Sequence, residues 1–201
     1  MTISVLMPMF LVPATAIAKA VSVLRRAAPV AVAVLAFAAL PLSAAEVTDA
    51  DKAALVERVA SFDAATRAND MGTVLDALPP KVFEAMAGQF GVTVEQLRAA
   101  TIEQATQAMA SVKIETFTMD TAAASYHELA DGMPYVLIPT ETVIDTGNGK
   151  IKAVSETLGI LDAGAWYLMR VEPAQLPTLH QAYPGFAEVT FEPGTMEAVT
   201  E

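Results

Sequence analysis

The segment 135–171 constrains the fold of this chain more than any other, because it contains three runs of strand-forming residues in succession. The first run is rich in Val, Ile and Thr and ends at Thr-Gly-Asn-Gly, residues 146–149. The second begins at Ile151 and ends at Asp-Ala-Gly, residues 162–164, and the third runs from Trp166 to Val171. β-Branched and aromatic runs separated by Gly, Asn and Asp are typical of hairpins. The segment therefore predicts a meander of antiparallel strands.

Helical patterns precede this meander. Thr48 and Asp51, and again Thr93 and Gln96, have the spacing of a capping box ahead of apolar residues at helical intervals. The patterns predict helices over 50–68, 73–78 and 81–89 and a longer one that follows Thr93 and ends near 110. Alternating side chains then predict a strand near 112–120. A short strand near 125–129 leads through the turn signal Asp131-Gly132 into the meander. Helices followed by antiparallel strands indicate an α+β fold.

The first 45 residues have the organisation of a signal peptide. They contain no Asp or Glu, and their only charged residues are Lys19, Arg25 and Arg26. An apolar run over 30–40 follows, and small residues end at Ala45. A basic region, a short apolar run and small residues at the cleavage position indicate export. We predict cleavage after Ala45 and a periplasmic or secreted protein.

The leader leaves two alternatives to an ordinary signal peptide open. The first is a permanent membrane anchor, but the apolar run over 30–40 is shorter than the roughly 20 apolar residues that a spanning helix needs. We therefore expect no stable anchor after cleavage. A second apolar stretch, over 3–18, precedes the basic residues. It indicates an over-extended start, with initiation near Val21 giving a signal peptide of ordinary length.

The part of the chain after the leader is acidic. Its 156 residues are enough for one domain with one core. They include 9 Lys and Arg against 23 Asp and Glu, a net charge of −14. This charge repels phosphate backbones and anionic lipid head groups, so it argues against nucleic acid and membrane surfaces as partners. The chain has no cysteine, which excludes disulfides, thiolate metal sites and cysteine nucleophiles.

The segment 173–201 is predicted to be a C-terminal tail. It contains four prolines, and only 174–181 has a weak helical pattern. Its aromatic residues, Tyr183, Phe186 and Phe191, predict that the tail packs back onto the sheet. No repeat or linker divides the chain after the leader, so we expect one domain over 46–172 with the tail 173–201 packed on it.

Three stretches carry a family resemblance. They are Arg-Ala-Asn-Asp at 67–70, Val-Leu-Asp-Ala-Leu-Pro-Pro at 74–80, and Asp-Ala-Gly-Ala-Trp-Tyr-Leu at 162–168. With the opening helix, they resemble secreted bacterial members of the NTF2-like superfamily, the cystatin-like α+β roll, over about 49–171. The resemblance implies a cone, with N-terminal helices packed in the concave face of a curved antiparallel sheet. The superfamily includes isomerases, dehydratases, polyketide cyclases, small-ligand binders and protein-binding modules, so it implies a fold and not an activity.

Few residues suggest catalysis. NTF2-like enzymes that move protons use an acidic or histidine base inside the cone, and His127 with Asp63 or Asp70 could form such a pair. His127, Glu128 and Asp131 offer metal ligands, but their spacing matches no ligand motif, so we predict no metal and no cofactor. There is also no Gly-x-Ser-x-Gly nucleophile motif.

The predicted function is therefore binding. The side chains that we expect to line a ligand pocket in the cone are Phe62, Tyr126, Tyr135, Trp166 and Met169, although core packing also explains them. We expect a small apolar ligand or a protein partner. Two alternatives stay open: a proton-transfer enzyme that uses the cone, and a structural module that forms a homodimer through an exposed sheet face.

Overall fold

The computed structural model describes residues 47–110 and 112–199, so the predicted signal peptide, 1–45, lies outside the described residues. The helices are α1 (Asp49–Arg67), α2 (Met71–Asp76), α3 (Pro80–Phe90), α4 (Val94–Met109) and α5 (Leu176–Ala182). A 3-10 helix, Pro184–Glu188, follows α5. The strands are β1 (Lys113–Met119), β2 (Ser125–Glu128), β3 (Pro134–Asp145), β4 (Lys150–Asp162), β5 (Ala165–Arg170) and β6 (Thr195–Val199). The predicted α+β class is confirmed.

Short local signals determine where the helices begin and end. The Thr48 hydroxyl accepts a hydrogen bond from the backbone N–H of Asp51, whose carboxylate accepts from the backbone N–H of Thr48. Thr93 and Gln96 make the same reciprocal pair at the start of α4, so both predicted capping boxes are confirmed. Gly91 ends α3 at a φ of 66°, a conformation that glycine adopts without steric cost. None of the helices in the described part of the chain has the length and apolarity to cross a membrane.

The six strands form one antiparallel sheet around the β3–β4 hairpin. β3 pairs with β4 from Tyr135 opposite Ile160 to Asp145 opposite Lys150. β2 and β5 flank this hairpin near the Tyr135–Ile160 pair, which we call the proximal end of the sheet. β1 and β6 flank it near the turn between β3 and β4, which we call the distal end. The sheet is strongly curled, and the helices pack against it as in a cone-like α+β fold.

Helical segments cover the proximal end of the sheet on both faces. Val136 packs on one face with Leu55 of α1, and this side is called the α1 face. Tyr135, the preceding residue, packs on the other face with Leu179 of α5 and with Phe186, and this side is called the C-terminal face. Successive strand residues point to opposite faces, so the alternation along β3 divides the core in two.

The tail after β5 supplies the layer on the C-terminal face and then a further strand. Leu179, Tyr183 and Phe186 are buried there. The chain then returns to the sheet as β6, which pairs antiparallel with β4 and places Val199 opposite Lys150. The sequence does not predict β6, because the alternation of polar and apolar residues extends only from Thr195 to Ala198, and all five residues of the strand are exposed.

Candidate functional site

The five residues predicted to line one ligand pocket are divided between the two faces of the sheet. Phe62, Tyr126 and Trp166 belong to the core on the α1 face. Tyr135 and Met169 belong to the core on the C-terminal face. The sheet lies between the two groups, so the five side chains do not line a common cavity. Each group packs against a helical layer instead.

On the α1 face, helix α1 occupies the space where a ligand would lie. The indole N–H of Trp166 donates a hydrogen bond of 2.7 Å to the backbone carbonyl of Asp51 in the first turn of α1. The Tyr126 ring meets Trp166 edge-on at 6.4 Å between centroids. Phe62 packs on Phe117 of β1 at 5.9 Å. These contacts hold α1 against the sheet along its length, which is a packing role.

On the C-terminal face, Tyr135 is held between two rings. His127 stacks on it with 5.1 Å between centroids, and Phe186 meets it edge-on at 5.2 Å. Burial raises the pKa of the Tyr135 hydroxyl above its ordinary value, so the phenol stays protonated at neutral pH. Tyr135 therefore acts as a core residue, and its neighbour His127 is exposed to solvent at the edge of this packing.

The two predicted catalytic candidates, His127 and Asp63, lie on opposite sides of the sheet. His127 is in β2 and faces Tyr135 on the C-terminal face. Asp63 is in α1 and forms an ion pair of 2.9 Å with Arg67. Arg67 also donates a hydrogen bond of 2.8 Å to the backbone carbonyl of Phe117. The structure therefore does not bring the predicted acid–base pair together, and Asp63 serves to orient Arg67 on the edge of β1.

The other acidic candidates have local structural roles. Asp70 caps α2, and hydrogen bonds from the hydroxyl and backbone N–H of Thr73 hold the pKa of its carboxyl below the ordinary value. The Asp131 carboxylate accepts a hydrogen bond from the backbone N–H of Met133 across a tight turn. Within 47–110 and 112–199, no three His, Asp or Glu side chains converge as a group able to hold a metal ion.

A charged cluster that the sequence does not predict joins α3, β4 and the tail. Lys81 Nζ lies 2.8 Å from Asp162 Oδ2, and the Tyr183 hydroxyl donates a hydrogen bond of 3.0 Å to the same oxygen. Lys81 Nζ also lies 5.1 Å from the centre of the Tyr183 ring. A small cavity of about 170 Å³ lies beside the cluster, lined by both Lys81 and Tyr183 together with Leu129, Asp131 and Met133.

The ionisation of this cluster suits it to holding the tail rather than to moving protons. Burial acts to raise the pKa of Asp162, but the hydrogen bonds from Lys81 and Tyr183 outweigh it, so the pKa lies below its ordinary value. Burial, and then the hydrogen bond to Asp162, raises the pKa of Tyr183. At neutral pH Asp162 is charged and Tyr183 is neutral, so neither group exchanges a proton readily.

One sequence signal does point to this cluster. Lys81 lies in the first turn of α3, immediately after Pro80. A positive charge at this position opposes the helix dipole, which favours acidic residues at helix N-termini. Such a lysine suggests a compensating carboxylate, but the sequence does not identify Asp162 as that partner.

The four outer strands of the sheet, β1, β2, β5 and β6, differ in how their free edges are used. In β5, the backbone N–H of Leu168 donates a hydrogen bond of 2.7 Å to the carbonyl of Ala77, after α2. In β1, the carbonyl of Phe117 accepts from Arg67. For β2 and β6, no hydrogen bond from any element other than β3 and β4, respectively, is found within the described residues. In the part of the chain that the structure describes, the outer edges of β2 and β6 are therefore open.

The distal end also presents six apolar side chains on the α1 face, two of them exposed and four half-buried. Phe117 lies on this face, and so does its β3 partner Thr142. Residues that alternate with Thr142 along β3, and the residues paired with them in the neighbouring strands, lie on the same face. The resulting surface, which we call the distal patch, belongs to neither core and consists of Ile114, Ile144, Ile151, Ala153, Met196 and Ala198. Met196, on the open edge, is 54% exposed. The distal patch and the open edge of β6 together form the candidate site.

Comparison with known proteins does not assign this site. No family model matches the chain, and no curated protein or solved structure matches it significantly. The resemblance to the NTF2-like superfamily stays a prediction.

Proposed function

We propose that the domain is a non-catalytic protein-binding module that takes an extended segment of its partner as an additional strand along β6. The open edge of β6 carries this proposal. An edge strand presents unpaired backbone N–H and C=O groups, and an extended peptide can pair with them. The edges of β5 and β1 are engaged by Ala77 and Arg67, respectively. The edge of β2 is open too, but β2 lies at the proximal end and does not border the distal patch, so β6 is the better template.

The distal patch supports the same proposal. Alternate side chains of an added strand would point to the α1 face and continue the row formed by Met196 and Ala198. The partner would thus bury apolar surface in addition to pairing its backbone. Main-chain hydrogen bonds give affinity in this mode of recognition, and alternate side chains give specificity.

The small-ligand and enzyme hypotheses have weaker support. The cavity of about 170 Å³ beside Lys81 is smaller than the roughly 300–1,000 Å³ of ordinary ligand pockets. A second cleft of about 320 Å³ lies at the surface, between Val112 and Gly147, and has no aromatic lining residue. His127 and Asp63 do not meet. The open edge of β6 and the distal patch therefore support protein binding better than the two cavities support a small ligand or catalysis.

Export is part of the proposal. With the predicted leader removed, the domain would act in the periplasm or outside the cell. Its lack of cysteine suits it to an oxidising compartment, since it has no thiol to be oxidised. Its partner would then be a periplasmic or extracellular protein.

Binding of short strand-forming peptides tests the proposal. The panel consists of labelled peptides of alternating valine and threonine in which the central threonine is replaced by lysine, glutamine or glutamate. Fluorescence anisotropy measures their binding to the chain from residue 46. We expect at least one peptide to bind, and we expect a chain that ends at Gly194, without β6, to lose that binding.

A matched pair of substitutions provides the control. Met196 and Val56 are similarly exposed, at 54% and 52%, but Val56 lies in α1 and belongs to neither β6 nor the distal patch. Met196→Asp should weaken binding and Val56→Asp should not. Failure of every peptide to bind, or equal binding by the chain that ends at Gly194, overturns the proposal. A dimer in light scattering that dissociates on removal of β6 also overturns it, because the occupant is then a second copy.

A further inference from the structure

The register of β6 determines which of its side chains an added strand would meet on each face. Glu197 lies opposite Lys152, and Met196 lies opposite Ala153. Met196 and Ala198 point to the α1 face, so Glu197 points to the C-terminal face. A residue of the partner directly opposite Glu197 would lie beside its carboxylate. The residues before and after it would lie beside Met196 and Ala198.

Glu197 has no ion-pair partner in the described part of the chain. Lys152 would be the obvious one, but its Nζ lies 2.6 Å from Glu141 Oε2 and is engaged there. Glu197 is exposed, at the centre of β6. The carboxylate is therefore available on the open edge of a chain whose residues 46–201 have a net charge of −14.

From these two observations we infer that the partner strand carries a basic residue opposite Glu197 and apolar residues at both neighbouring positions. Opposite charges that face each other across a strand pair stabilise it, and like charges destabilise it. The apolar neighbours extend the distal patch. This inference rests on the proposed strand addition at β6 and specifies the chemistry of the segment that is added.

The same reasoning disfavours a second copy in the most symmetric register. A two-fold pairing of β6 centred on Glu197 would place the two Glu197 carboxylates opposite each other. Such a pair of like charges is destabilising. The net charge of the domain adds a long-range repulsion between copies, whereas it attracts a basic segment.

The peptide panel tests the inference through the central residue. We expect the lysine peptide to bind about two- to fivefold more tightly than the glutamine peptide, and the glutamate peptide to bind least, as cross-strand charge pairs of this kind allow. Raising the salt concentration should reduce the difference, because both charges are exposed to solvent. Glu197→Gln should make the lysine and glutamine peptides bind equally.

Glu192→Gln is the matched control, because it removes the same charge from an exposed residue just outside β6. It should preserve the preference for lysine. Equal binding of the lysine and glutamine peptides to the unmodified chain overturns the inference, and so does a lysine preference that survives Glu197→Gln. In both cases the proposed function still holds, provided that peptide binding is lost when β6 is removed. Absence of any binding instead overturns the proposed function.

Discussion

Gly159 lies directly opposite Val136 in the β3–β4 pair, and a Cβ atom on Gly159 would come within 2.6 Å of Val136 Cγ1. Val136 is fully buried in the core on the α1 face, where Trp166 also packs, so it has little room to move. We expect Gly159→Ala to lower the free energy of unfolding by about 1–3 kcal/mol, the usual cost of overpacking a core. Chemical denaturation measures this change.

Gly88 supplies the control for this substitution. It lies on an exposed position of α3, and a Cβ atom there would meet nothing within 4 Å. Gly88→Ala should raise the free energy of unfolding by about 0.5–1 kcal/mol, because alanine favours a helix more than glycine does. Stabilisation by both substitutions would contradict the steric explanation for Gly159.

Asp162 makes stability depend on pH on the acid side. Its pKa in the folded state lies below the ordinary value that it regains on unfolding. Its contribution is therefore present above the unfolded-state pKa and is lost as the pH falls through the folded-state pKa. Asp162→Asn should lower the free energy of unfolding at pH 7 by about 1–3 kcal/mol, since a charged hydrogen-bond acceptor is lost. It should also flatten the decline of stability towards low pH.

Asp49→Asn is the comparison for Asp162. The Asp49 side chain is fully exposed, although it lies near Lys52. Such surface pairs contribute little, so this variant should follow the unmodified chain through the acid titration. An equally steep acid decline in Asp162→Asn and in the unmodified chain would show that other groups cause it.

Tyr183 makes stability depend on pH on the alkaline side. Burial and the neighbouring Asp162 raise the pKa of its phenol in the folded state. Its contribution is present below the unfolded-state pKa, about 10, and is lost as the pH rises from there towards the folded-state pKa. We expect stability to fall above about pH 10, and to fall less steeply in Tyr183→Phe. The variant Tyr126→Phe retains Tyr183. In the same denaturation series, its free energy of unfolding should decrease as steeply above about pH 10 as that of the unmodified chain.

Much of the fold could be predicted because its signals are local. The capping pair of Thr48 and Asp51 depends on residues three apart, and the strands of the meander are separated by turns of Gly, Asn and Asp. Alternation along β3 indicates a strand, but it cannot show which segment covers each face. Tyr135 and Val136 are both apolar, so only the three-dimensional path of the tail assigns them to different cores.

Neither the charged cluster nor the candidate site could be predicted from the sequence, and the physical reasons differ. The cluster of Lys81, Asp162 and Tyr183 joins residues from three distant parts of the chain, and nothing in the sequence records their proximity. β6 is recognised as a strand by its pairing with β4, since its own five residues have no buried face. The five residues expected to line one pocket belong to two cores for a related reason. Aromatic side chains indicate burial, and packing on a helix buries them as well as a ligand does.

Removal of residues 195–201 should leave the domain folded. All five residues of β6 are exposed, and none belongs to either core. The strand exchanges its hydrogen bonds for bonds to water and regains chain entropy, so we expect the free energy of unfolding to change by less than about 1.5 kcal/mol. Leu179→Ala, a change to a fully buried residue in the same tail, should cost about 2–5 kcal/mol. Loss of cooperative unfolding on removal of 195–201 would contradict the peripheral position of β6.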